Sequence, residues 1–141
     1  MDYQAFYRHC RDLFQDRWSD CQVVWPNEPM QPFEPIGDQA GSGYPARMLL
    51  IDFNDEQAEF GTFDGTDAID GTLVVTICVE AGAGEDKVFD LFDSLKTMFA
   101  TYGDSSGDQL QFLVPRLGGM VAFEDLPLFG REAHFPFKRW E

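Results

Sequence analysis

Residues 3–17 place Tyr3, Phe6, Tyr7, Cys10, Leu13, Phe14 and Arg17 at i, i+3, i+4, i+7 spacing, which predicts an amphipathic helix. Asp2 stands where an N-cap or dipole partner belongs. A second such stripe, Val88, Leu91, Phe92, Leu95, Met98, Phe99 and Tyr102, predicts a helix over 85–102. Glu85 and Asp86 sit in its first turn and Gly103 ends it. Alternating or continuous apolar runs predict strands at 22–25, 46–53, 68–80, 109–114, 119–124 and 132–140. In 68–80, Leu73, Val75, Ile77 and Val79 share one side while Val74, Thr76 and Cys78 share the other. Both sides are largely apolar, so this strand is expected at the centre of a sheet. Pro136, which has no N–H for a ladder, predicts that 132–140 is an edge strand. The order α-β-β-β-α-β-β-β implies one α+β domain over 1–141, a mostly antiparallel, mixed β-sheet with two helices on one face.

Two segments fit no element. In WPNEPMQPFEP the prolines fall at 26, 29, 32 and 35, a three-residue period that puts them on one ridge of a polyproline II helix. With the Gly-rich IGDQAGSGYP that follows, residues 26–45 are expected to form a long extended arm. A connection of this length without secondary structure is uncommon inside a domain and suggests a functional arm. Residues 54–67, acidic and Gly-rich with Phe60 and Phe63, are expected to be a long hairpin tip.

Composition narrows the function. Twenty-five acids against ten bases give a formal charge of −15, which repels nucleic-acid phosphates and anionic membranes. The 44% apolar and 15% aromatic content argues for a folded core in spite of that charge. The start, MDYQAFYRHCRDLF, has no apolar h-region of a signal peptide, and no apolar run reaches the roughly eighteen residues of a membrane span. Cys10, Cys21 and Cys78 are an odd number without a close pair and read as reduced thiols of a soluble, intracellular protein.

Catalytic chemistry finds no support in the spacing. GDSSG at 103–107 is similar to a serine-protease motif, but the histidines, His9 and His134, lack the partners of a triad, and the stretch reads as a turn after a helix. Asp64, Asp67 and Asp70 are spaced by three, unlike the alternate acids of a calcium loop, and read as a solvated hairpin. Zinc has no CxxC or HxxxH to use, and His9 and Cys10 diverge by about 100° on a helix, so they do not ligate together easily. GAGEDK at 82–87 opens a helix as phosphate loops do, but Glu85 and Asp86 would repel the phosphate. The prolines lack the flanking base of an SH3 ligand, so the arm is expected to pack on its own sheet or on a second copy. No catalytic residue, cofactor or metal site is expected.

VVWPNEPMQP after a first helix, then YPARMLLIDFNDEQAEFGT, then GTLVVTICVEAGAGEDKVFDLFDSLKTMF, resemble the tail terminator, or tail-completion, proteins of long-tailed bacteriophages and prophages. The corresponding stretches are Trp25–Pro26–Asn27, Tyr44–Asp52, Gly71–Ala83 and Arg131–Trp140. The resemblance implies a structural virion protein of the tail or neck that forms a ring, commonly a hexamer, on the head-proximal end of the tail tube. Such a ring stops tube growth and offers a surface to the head connector. Its partners would be copies of itself, the tail tube protein and the head-completion or connector protein, first in the host cytoplasm and then in the virion. DNA would pass an acidic channel without specific binding. Candidate subunit or tube contacts are Trp25, Pro29, Pro32, Phe33, Phe60 and Phe63. The alternatives are another neck or minor tail protein, or an acidic adaptor or inhibitor that mimics nucleic acid.

Overall fold

The central strand predicted from its two apolar sides is present with the predicted bounds. The computed structural model describes residues 1–28, 47–59 (backbone alone over 54–59), 68–82, 84–105, 109–123 and 128–141. Along the chain these form helix α1 (Tyr3–Arg17), β1 (Gln22–Val24), β2 (Arg47–Glu59), β3 (Ala68–Glu80), helix α2 (Asp86–Tyr102), β4 (Leu110–Phe112), β5 (Arg116–Ala122) and β6 (Leu128–Trp140). The strands make one mixed sheet in the order β1-β2-β3-β6-β4, with β5 also pairing β6. Among the described residues only β1 and β2 run parallel; the other pairs are antiparallel. The α+β class is as the sequence implied.

Alternation along β3 sorts the sheet into two sides. Leu73, Val75, Ile77 and Val79 are fully buried in the main core, with Leu49 and Ile51 of β2 and Ala133, Phe135 and Phe137 of β6. Phe6, Cys10, Leu13 and Phe14 of α1 and Val88, Leu91, Leu95, Met98 and Phe99 of α2 close this core from the same side. The helices meet each other at Phe14 and Phe99, whose rings are 5.8 Å apart, edge to face. Asp2 caps α1 as expected, its carboxylate accepting the Ala5 N–H at 2.8 Å. At the far end of α2 His9 Nε2 donates to the Gly103 carbonyl at 2.7 Å, so α1 and the exit of α2 are tied.

Three expectations change. The strand β2 continues past Phe53 to Glu59, through an irregularity between Asn54 and Gln57 that leaves an extra residue opposite β3. The expected tip 54–67 therefore begins no earlier than residue 60, and 60–67 lie outside the described residues. The last strand starts at Leu128 and is interior, with β3 on one side and β4 and β5 on the other. Pro136 is tolerated there for a local reason. Its carbonyl accepts Leu113 N–H at 2.8 Å, so its missing N–H faces the link between β4 and β5, where the neighbouring ladder is interrupted. The expected arm also begins differently. Glu28 N–H bonds Trp25 O at 3.2 Å and Asn27 has φ 60°, so WPNE is a tight reversal. Pro at its second position and a left-handed Asn at its third are the marks of a type II turn. Residues 29–46, with most of that arm, lie outside the described residues.

Candidate interaction surfaces

Of the six predicted contact residues, Pro29, Pro32, Phe33, Phe60 and Phe63 lie outside the described residues. Trp25 belongs to the core: only 7% of it is exposed. Its ring packs edge to face on Tyr7 at 5.7 Å and on Phe14 at 5.5 Å. The Arg11 guanidinium lies 5.1 Å over the same ring and reaches Glu28 Oε1 at 2.5 Å. Trp25 is thus the buried foot of the WPN turn. It anchors the turn that follows the edge strand β1.

The short polar motifs serve the fold. Gly103 caps α2, its N–H bonding Phe99 O at 2.9 Å, and a Cβ there would lie 2.4 Å from that carbonyl oxygen. Asp104 Oδ1 accepts Phe112 N–H at 2.7 Å, and Ser105 N–H bonds Leu110 O at 3.2 Å. GDSSG accordingly joins α2 to β4. His134 pairs with Glu132 at 3.1 Å on the sheet side without helices. Asp70 pairs with Lys138 at 3.5 Å, while Asp64 and Asp67 lie outside the described residues. Among the described residues no three His, Cys, Asp or Glu side chains are grouped to hold a metal ion.

The thiols are set for packing, not nucleophilic work. Burial pushes Cys10 far up from its ordinary value and Cys78 up to about 12, with Cys21 adding to the latter. Cys21 is raised to about 11, again mainly by burial. All three are protonated at neutral pH, and a thiolate is what reacts.

Two apolar surfaces escaped the sequence reading. The link between β4 and β5 exposes Leu113 (46%) and Val114 (85%). The turn from β3 into α2 and the β5–β6 pair border an apolar groove of about 800 Å³. Met120, 71% exposed, forms one wall with Val121 and Phe123, Leu128 and Phe129 its floor, and Glu85 its rim. Phe123 lies against Gly130, where a Cβ would come within 2.9 Å of its ring. Arg131 ties the start of α2 to β5, donating to Gly118 O at 3.1 and 3.2 Å and to Glu85 at 3.1 Å. Gly82 and Gly84, both with φ above 80°, make the turn on the groove's other side.

No protein-family model matches the chain, and no curated protein does either. Among the described residues no helix is long and apolar enough to cross a membrane. A solved structure superimposes with a TM-score of 0.57 over 94% of this chain and 94% of its own, at 14% identity. At that identity the likeness is one of fold.

Proposed function

We propose that the chain is a structural ring component of a long phage tail, a tail terminator that caps the head-proximal end of the tube. The observation that carries the reading is the WPN turn. The motif most specific to the resemblance forms a fixed launch point, with Trp25 buried, Asn27 left-handed and Glu28 held by Arg11. A proline-rich segment starting from such a point loses little conformational entropy when it docks, so a modest contact on a neighbour holds it. A mixed sheet with two helices is compatible with that reading, and a net charge of −15 suits a channel that DNA passes without adhering.

The direct test replaces residues 60–67 by a two-residue Asn-Gly turn, which leaves β2 and β3 paired. In a phage that depends on this chain, the variant is expected to fold and to fail in tail completion, giving tubes of uncontrolled length. Tails of normal length from the variant would contradict a subunit or tube contact at Phe60 and Phe63. The strong acidity favours one other reading, an adaptor that mimics nucleic acid. That reading requires tight, salt-sensitive binding to a basic partner by a protein that forms no ring.

A further inference from the structure

The link 113–115 is apolar with a cation beside it, and the groove is apolar with an acid beside it. Leu113 is held by its hydrogen bond to Pro136 O, and Val114 precedes Pro115, which favours extended backbone. The apolar pair is therefore displayed on a stiff stem and loses little freedom on burial. Arg116 follows it, exposed and without an acidic partner among the described residues. The groove offers the reverse: an apolar floor with Glu85 at its rim. That carboxylate has one cationic partner, Arg131, and stays 44% exposed, so its free lone pairs are able to accept a second guanidinium. The volume, about 800 Å³, is in the range of sites that enclose molecules of a few hundred daltons, enough for two or three apolar residues.

Knob and groove occupy different stations on the sheet. Leu113 lies beside Pro136, whereas the groove floor is Leu128 and Phe129, roughly 25 Å away along β6 at about 3.3 Å per residue. We propose that the Leu113–Val114 knob of one copy enters the groove of a second copy, with Arg116 meeting Glu85 across the joint. Such a contact uses two different patches and is heterologous, the kind that builds rings or open filaments. The inference deepens the ring reading and takes its biological meaning from it.

The test uses Val114→Asp and Met120→Asp, both at exposed positions, with sedimentation and native mass spectrometry of the full chain. Salt of about 0.5 M screens the repulsion between acidic copies. The wild type is expected to form species larger than a dimer. Each variant should melt like the wild type and lose self-association by about 30-fold or more, as for a central contact residue. Mixed, the variants restore one joint, because Val114→Asp keeps its groove and Met120→Asp keeps its knob, so 1:1 dimers should appear. A wild type that is monomeric, or that stops at a dimer, overturns the proposal. So does a variant that assembles like the wild type, or a mixture that stays monomeric. If the joint holds but deleting the chain leaves tails of normal length, the terminator reading fails and the joint stands.

Discussion

The two sides of β3 carry different amounts of the fold. On the helix side Leu73, Val75, Ile77 and Val79 are fully buried beneath an aromatic lattice. Phe6 lies 4.3 Å from Phe137, and Phe99 lies 4.4 Å from Phe135, ring centroid to centroid. On the other side the buried cluster is Met48, Cys78 and Leu128, with Val24, Leu50 and Phe123 partly covered. That side also bears an ion pair, Asp70 with Lys138, and a hydrogen bond between Glu132 and His134. Stability is therefore concentrated on the helix side, and the second side is freer to serve as surface.

Substitutions on the two sides should separate accordingly. Phe135→Ala opens a cavity between β6 and α2 and is expected to cost about 3–5 kcal/mol, read from the midpoint of urea unfolding. On the second side Met48→Ala should cost about 2 kcal/mol, the low end for such truncations, because its cluster is smaller. Equal losses at the two positions would break the comparison.

A smaller effect belongs to the end of β3, where Glu80 pairs with Lys87 and with Arg47, at 3.6 Å in the latter case. Burial alone would raise the Glu80 carboxyl. The Lys87 hydrogen bond, with the charges of Lys87 and Arg47, outweighs burial and holds it below its ordinary 4.5. The folded chain thus keeps this group ionised to lower pH than the unfolded chain does. Its contribution is complete above pH 4.5 and is lost as pH falls through the depressed value. Lys87→Met should cost about 1 kcal/mol at pH 7, and the gap from wild type should close below pH 4.5 in acid titrations of stability. A gap that persists at low pH would assign the loss to packing. The smallest effect is expected at Pro136. Pro136→Ala should change stability by no more than about 1 kcal/mol, since no ladder hydrogen bond is missing toward β3.

How far the chain could be read in advance depended on whether local pattern and tertiary pairing agreed. The bounds of α1 and β3 follow from apolar spacing because both are packed along their whole length. Residues 54–59 carry no alternation, and their strand forms because β3 continues alongside as far as Ala68. Pro136 misled because the rule that prolines sit at sheet edges concerns one N–H, and here that N–H faces a gap between two short strands. The WPN turn was legible from Pro followed by Asn, but the three-residue proline period pointed to extended chain from Trp25 onward. Trp25 itself was assigned to a surface contact, whereas its burial depends on Tyr7 and Phe14 from α1. The knob and groove could not be read from LVPRLGGM, where apolar residues next to glycines suggested only strands. Exposure of Val114 and Met120 is decided by where β4 ends and where β5 bulges.

The central claim is assembly into a ring on a tail tube. The most direct measurement is negative-stain imaging of the purified protein mixed with isolated tail tubes, with native masses of the protein taken at low and high salt. The account predicts closed rings of one stoichiometry seated at a single end of each tube, and longer tubes when the protein is withheld during tube growth. Bare tube ends at both salt concentrations, with tube lengths indifferent to the protein, would contradict it.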